Sequence, residues 1–222
     1  MTIETVKPEF IRTENTVERV VRSKLFWTLF ILFGFSYPIY RSIYRVLPPE
    51  LPVIAQVPRF ELISENGQRF GSDDLKDRIY LANFVFARCP SVCPKMLAEL
   101  EKIQKRVRGT GKKVAIVTFT VDPENDNETV LFKLARKHQA NPYIWTFLTG
   151  TNKDELFKLY RDGFKVGVEH NPKNLIDIAH SEKIVLVDGS NRVRGYYAFN
   201  DNSINQLMID VGLLINRPSP KE

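Results

Sequence analysis

From Met1 to Lys24 polar and charged residues follow one another with no sustained apolar period, which predicts a short flexible tail. The pattern then changes abruptly. Leu25 to Tyr40 runs sixteen residues without a charge, and apolar character resumes intermittently to Leu47. A helix of that length reaches about 24 Å, short of the roughly 30 Å hydrocarbon core of a bilayer. Extension to Leu47, with Arg41 and Arg45 lifting their charges to the interface, closes the gap, so 25–47 is expected to form one transmembrane helix. A buried core helix is the poorer reading, because the segment is apolar all round and flanked by charge. A cleaved signal peptide is poorer too, since no alanine precedes Ala55 and only Gly34-Phe35-Ser36 offers small residues at cleavage spacing.

Behind that segment, Leu47-Pro-Pro-Glu-Leu-Pro-Val predicts a stiff, extended stalk over 48–56. Strand and helix periods then alternate. Phe60 to Phe70 carries Asn66-Gly67 between two short apolar runs, a hairpin signal. Ile79 to Phe86 reads as a strand, and Met96 to Val107 as a helix with Met96, Leu97, Leu100, Ile103 and Val107 on one face. Val114 to Val121 is a near-continuous β-branched and apolar run, as expected of a buried parallel strand. A helix opens at Asn127 or Glu128 and closes near His138, and Trp145 to Leu148 is a third core strand. Asn152 with Glu155 makes a capping box for a helix to about Arg161. Ile184 to Val187 and Val193 to Phe199 form a terminal hairpin, and Ile204 to Ile215 a closing helix. This order predicts an α/β domain over 57–216, with a thioredoxin-like central mixed sheet flanked by helices and a tail at 217–222.

The chain's 222 residues, 43% of them hydrophobic, suffice for one well-filled domain and an appendage. Its net charge of +6 is mild and mixed, with no block of basic residues interleaved with aromatics, which argues against nucleic-acid binding. Lys7, Arg12, Arg19, Arg22 and Lys24 precede the apolar segment, whereas only Arg41, Arg45 and Arg59 follow closely. That bias predicts a cytoplasmic tail over 1–24 and a domain on the far side of the membrane. In a bacterium this is a single-pass inner-membrane protein with a periplasmic domain, and in a eukaryote one of the mitochondrial inner membrane.

Both cysteines lie in Phe84-Val-Phe-Ala-Arg-Cys-Pro-Ser-Val-Cys-Pro94, at the expected strand-to-helix junction. Residues four apart in a helical turn have Cβ atoms about 5–6 Å apart, near disulfide range and close enough to share one metal. Pro94 is suited to start the helix, with Cys93 as its cap. A helix N-terminus with Arg88 and Lys95 alongside favours thiolate over thiol, which serves both nucleophilic attack and soft-metal ligation. The blander alternative is a structural disulfide or two inert buried thiols, although a bridge closing so short a loop stabilises little. Cys89 and Cys93 are therefore candidates both for a redox-active pair able to close a disulfide and for metal ligands.

Among the three histidines, His138 stands at a helix C-terminus beside Arg136 and Lys137, where a surface role facing the helix dipole is expected. His170, in a polar loop, reads as solvated. His180 comes just before the strand at Ile184. In a thioredoxin-like order the loop entering that strand faces the cysteine turn, so an imidazole there would reach both sulfurs. Two thiolates and an imidazole suit Cu(I), or a zinc site lacking its fourth ligand, while a lone histidine is more often structural.

At this point the chain resembles the Sco/SenC family of membrane-anchored, thioredoxin-fold copper proteins. Phe84-Val-Phe-Ala-Arg-Cys-Pro-Ser-Val-Cys-Pro-Lys-Met-Leu97 is similar to the family's FxFxxCPxxCPxxL. Asp122-Pro-Glu-Asn-Asp126, Trp145-Thr-Phe-Leu-Thr-Gly150 and His180-Ser181 ahead of a strand extend the likeness over roughly Val57 to Leu214. The resemblance implies that Cys89, Cys93 and His180 are copper ligands. It also implies that the protein helps build the dinuclear CuA centre of cytochrome c oxidase, with the oxidase's copper-containing subunit as partner. Other copper chaperones or thioredoxin-like reductants would be further partners. The chain departs from the family at Ser91 and Ala179, where acidic residues are usual, and both changes remove negative charge.

Three functions compete. A copper metallochaperone would hold copper on reduced Cys89 and Cys93 with neutral His180 and release it by ligand exchange, with oxidation of the pair abolishing the site. A thiol-disulfide oxidoreductase would reduce the cysteines of the oxidase subunit, one thiol attacking and the other resolving. A thiol peroxidase or redox sensor would need one low-pKa cysteine and a resolving partner.

Overall fold

The computed structural model describes residues 16–44, 50–167 and 183–217, and the chain divides into two units, 1–50 and 51–222. In the first unit a seven-residue helix, α1 (Thr16–Arg22), falls inside the stretch expected to be a flexible tail. Its Val17, Val20 and Val21 recur at the three- and four-residue spacing of a helical face, a period too brief to register in the sequence. The apolar segment forms α2 (Lys24–Ile43), none of whose residues is buried. Trp27 Nε1 donates to Val21 O at 2.7 Å across the break between the helices.

Among the described residues no helix is long and apolar enough to cross a membrane. Two features of α2 account for this. Ser36, Tyr37, Pro38, Tyr40 and Arg41 dilute its second half, and it stops at Ile43, short of the Leu47 that the expected span needs. Residues 45–49 lie outside the described residues.

The second unit is built on one eight-stranded sheet: β1 (Ala55–Gln56), β2 (Glu61–Ser64), β3 (Arg69–Gly71), β4 (Ile79–Val85), β5 (Val114–Thr120), β6 (Trp145–Thr149), β7 (Lys183–Val187) and β8 (Arg192–Ala198). Their spatial order is β1-β8-β7-β4-β5-β6-β2-β3. The three central strands β4, β5 and β6 are parallel, and the remaining pairs are antiparallel, giving the mixed sheet that was expected. Every residue of β4 and β5 is buried, which is why both read as continuous apolar runs rather than alternations. Gly67, at φ +73°, makes the turn between β2 and β3.

The helices of this unit are α3 (Val92–Val107), α4 (Glu128–Lys137), α5 (Lys153–Lys158) and α6 (Asp201–Asn216). α3 turns Met96, Leu97, Leu100, Ile103 and Val107 inward, and α6 buries Ile204, Leu207, Val211 and Leu214. The helix expected from Asn152 to about Arg161 leaves α geometry at Lys158 and continues as a π turn, Leu159–Gly163. That turn seats Tyr160 against the sheet. Its ring lies 4.8 Å from Phe84, which stacks on Phe119 at 5.5 Å, and its hydroxyl donates to Thr120 O at 2.8 Å.

One boundary needs correction. The stretch expected as a free stalk, 48–56, ends within the sheet, where Ala55 and Gln56 pair with Val193 and Arg192. Ile54 and Val57 extend the ladder, their N–H groups donating to Val193 O and Asn191 O at 2.8 and 2.9 Å. Prolines fall at 52 and 58, on either side of these donors, so they leave the edge ladder intact. Arg194 also donates to Leu51 O, fastening the first residue of this unit.

Candidate functional site

Parallel pairing of β4 with β5 decides where the cysteines stand. Val85 is level with Thr120, and Val121 N–H donates to Val85 O at 2.8 Å, so the two loops leaving these strands emerge side by side. The first carries Phe86 to Ser91 into α3. The second is Asp122-Pro-Glu-Asn-Asp126, leading to the cap of α4 at Asn127, whose side chain accepts from Val130 N–H.

Two carboxylates of the second loop hold the first. Asp126 is fully buried, and its Oδ2 accepts from the Thr120 hydroxyl at 2.5 Å and from Ala87 N–H at 3.0 Å. Asp122, also buried, accepts from Arg88 Nη2 at 2.9 Å and from Asn125 Nδ2 at 2.8 Å. Burial lifts the Asp126 carboxyl above the usual range, against the opposing pull of the Thr120 and Ala87 donors. Its Oδ1 has no hydrogen-bond partner among the described residues. Both residues belong to the motif noted in the sequence, but their role was missed there, because braces between residues 34 and 39 positions apart leave no local signal.

The helix start also differs from expectation. α3 begins at Val92 rather than at Pro94, with Ser91 as N-cap and no side-chain bond from Ser91. Pro94 is tolerated inside the first turn, where the backbone N–H it lacks would have had no helical partner. The cap is sulfur: Cys93 N–H donates to Cys89 Sγ at 3.3 Å.

Both cysteines are free thiols. Cys93 is buried and Cys89 half-buried. Burial pushes the Cys89 thiol up, but the Cys93 thiol and the backbone N–H groups of Cys93, Ser91 and Val92 together outweigh it, and the net shift is downward. Cys93 moves the other way, pushed up to about 12 by burial and by its hydrogen bond to Cys89. Arg88, expected to support a thiolate, is instead paired with Asp122. Cys89 is thus the more accessible sulfur and the one whose thiolate is favoured, a division that spacing alone left open.

Iodoacetamide labelling of the reduced protein at neutral pH is therefore expected to modify Cys89 before Cys93 by about thirtyfold or more, after allowing for the lower nucleophilicity of a low-pKa thiolate. As pH rises, the Cys89 rate levels off below the ordinary thiol range, while the Cys93 rate keeps climbing towards about 12. Peptide mass spectrometry across a pH series reads both, and equal rates at pH 7 would contradict the assignment.

Of the histidines, His170 and His180 lie outside the described residues. His138 is not a surface residue. It caps the C-terminus of α4 but is buried, with Nδ1 2.7 Å from Glu101 Oε1 on α3, so it joins two helices. Among the described residues no group of three His, Cys, Asp or Glu side chains is arranged to hold a metal ion.

A mixed sheet with a Cys-x3-Cys dithiol at the head of the helix that follows a central strand defines a thioredoxin-like domain. Residues 51–213 match the SCO1/SenC family, and the chain belongs to it. It is 29% identical over 161 residues to a SCO1 protein homolog of Bacillus subtilis, covering 72% of this chain and 83% of that one. A protein of Stutzerimonas stutzeri named "Putative copper-binding protein" is 27% identical over 151 residues, 66% of this chain and 71% of its own. Among solved structures, BsSco, described as a Sco-family cytochrome c oxidase assembly protein with a disulfide switch, is similar with a TM-score of 0.67 and 26% identity. That match covers 76% of this chain and 99% of that structure.

Proposed function

We propose that this chain is a copper metallochaperone that serves assembly of the CuA centre of cytochrome c oxidase, with copper as its cargo. The observation that carries the reading is the pair of free thiols joined at the head of α3, Cys93 N–H on Cys89 Sγ at 3.3 Å. Two adjacent sulfurs are a soft donor set that fits Cu(I), and the similar Sco-family structures solved with copper bound support that choice over zinc. His180 is proposed as the third ligand. β7 runs antiparallel to β4, with Val185 level with Ala82, so Lys183 begins at the end of the sheet where β4 delivers the cysteines. His180 precedes Lys183 by three positions. Reduced Cys89 and Cys93 hold the cargo, and a partner with better-placed thiolates takes it by ligand exchange. Closing the Cys89–Cys93 disulfide sends two electrons and two protons to an acceptor and removes both sulfur donors.

The unequal thiols favour one alternative, reduction of the oxidase subunit's cysteines. The Cys89 thiolate would attack the partner disulfide and release one partner thiolate, and Cys93 would then displace the other and close the intramolecular bridge. His180→Ala separates the two functions, because a three-coordinate copper site needs the imidazole and dithiol exchange does not. We expect this variant to lose tight copper binding and to fail in oxidase assembly, while its disulfide still forms and reduces at the wild-type potential. A variant that binds no copper, keeps wild-type thiol chemistry and restores full oxidase activity would replace the chaperone with the reductase.

The segment 25–47 is proposed to anchor the chain, with 1–24 cytoplasmic and the copper domain on the outer face of the bacterial inner membrane. The all-round exposure of α2 and the basic residues before it support this. Alkaline phosphatase fused after Glu222 is expected to be active, and a stable but inactive fusion would refute the orientation.

A further inference from the structure

The charge of the copper domain is gathered at one end. Six of the twelve residues from Lys102 to Lys113 are Lys or Arg and none is Asp or Glu. Over the rest of the chain from Ala55 onward, acidic residues outnumber basic ones by 21 to 19. These twelve residues form the last turns of α3 and the 3₁₀ turn Arg108–Lys113 that feeds β5. Lys102 pairs with Glu99 at 2.7 Å and Arg106 reaches Asn205 at 3.2 Å. Lys105, Arg108, Lys112 and Lys113 are exposed and form no ion pair with the described residues.

Folding adds to this cluster. α4 ends beside α3, where Gln104 Nε2 donates to Gln139 O at 3.2 Å and Asn141 N–H to Gln104 Oε1 at 2.7 Å, bringing exposed Arg136 and Lys137 to the same end. Arg78 donates through Nε to Lys112 O at 2.8 Å and through Nη2 to Tyr143 O at 3.5 Å. Tyr143 is 80% exposed. Of the nearby carboxylates, Glu99 and Glu101 are taken by Lys102 and His138, Asp201 lies near Lys102 and Asp74 near Arg78, and Asp77 sits beside the equally exposed Lys76.

This surface lies at the end of the sheet opposite the thiols. Cys89 follows the C-terminal end of β4, whereas Lys113 leads into the N-terminal end of the parallel β5, and α3 spans about 24 Å between them. Lysine ammoniums on flexible stems suit a fluid array of anions better than a fixed carboxylate pattern, and an exposed tyrosine has the amphipathic ring that settles among lipid headgroups. We propose that this end of the domain docks on an anionic phospholipid surface, leaving Cys89 facing away from the bilayer and open to a partner. The anchor proposed for 25–47 would raise the local concentration of lipid, but the docking chemistry is that of the basic surface itself.

The test uses the full chain in nanodiscs of phosphatidylcholine alone or mixed equally with phosphatidylglycerol, probed with an amine-reactive ester and by amide exchange. Labelling of Lys105, Lys112 and Lys113 should fall at least about threefold with phosphatidylglycerol, given roughly fivefold in partition per cation near an anionic surface. Lys95, at the cysteine end, should be unaffected, and about 0.5 M sodium chloride should restore labelling by shrinking the Debye length to about 4 Å. In a variant carrying Lys105→Glu, Lys112→Glu and Lys113→Glu, amide exchange over 108–113 should no longer respond to phosphatidylglycerol. Equal labelling in both lipids would overturn the proposal, as would equal protection by polyglutamate over neutral lipid, which would point to an acidic protein instead. Amide protection of α2 in the same samples reports the anchor separately: its loss, with phosphatidylglycerol-dependent labelling intact, removes the anchor and keeps the docking.

Discussion

Asp126→Ala is expected to destabilise the copper domain by about 2–5 kcal/mol, because it strands the buried Thr120 hydroxyl at roughly 1–3 kcal/mol and the half-buried Ala87 N–H at somewhat less. A loss of that size is a large share of the typical 5–15 kcal/mol of a folded domain. Asp126→Asn keeps an acceptor oxygen at the same position and should cost less than about 2 kcal/mol. Urea unfolding followed by tryptophan fluorescence gives the comparison, with the midpoint falling and the slope unchanged. If alanine and asparagine cost the same small amount, the carboxylate does not hold the cysteine loop.

The second large effect belongs to the sulfurs. Cys89→Ser and Cys93→Ser should each weaken copper binding by well over a hundredfold, since loss of a mere outer-shell partner already costs about 10–100-fold at a metal site. Their other consequences should differ. Cys93→Ser leaves the half-buried thiol with the lowered pKa and hence rapid alkylation, whereas Cys89→Ser leaves only the buried thiol, which burial alone still holds above the ordinary range, and should label slowly. Competition against a Cu(I) chelator measures the first quantity and labelling kinetics the second. A serine variant that competes as well as the parent would exclude that sulfur as a ligand.

Legibility in the sequence followed the range of the interactions involved. Ile79–Val85 and Val114–Thr120 were readable as strands because burial on both faces leaves an unbroken apolar run. The caps of α4 and α5 were readable because Asn127 and Asn152 bond their own first turns. By contrast, β1 is a two-residue strand between prolines and has no period to detect. The start of α3 was misplaced because its cap is the sulfur of Cys89, not a residue type that announces a helix. His138 was misjudged since its partner Glu101 lies 37 positions away on another helix.

The site divides in the same way. That Cys89 and Cys93 form a pair follows from their spacing, but which of them is the less buried depends on how α3 packs on the sheet. The Asp126 and Asp122 braces depend on the register of β4 with β5, which no local pattern records. The basic run Lys102–Lys113 is visible in the sequence, but the return of α4 and the placing of Arg78 beside it, which enlarge it into a surface, are not.

Copper-edge X-ray absorption on the reduced full chain loaded with one equivalent of Cu(I) tests the central claim most directly. A three-coordinate ion with two sulfur neighbours and one nitrogen neighbour is expected. Either serine variant should show one sulfur, and no copper should be retained once the disulfide has closed. Copper bound through nitrogen or oxygen alone, or a two-sulfur spectrum unchanged by Cys89→Ser and Cys93→Ser, would contradict that claim.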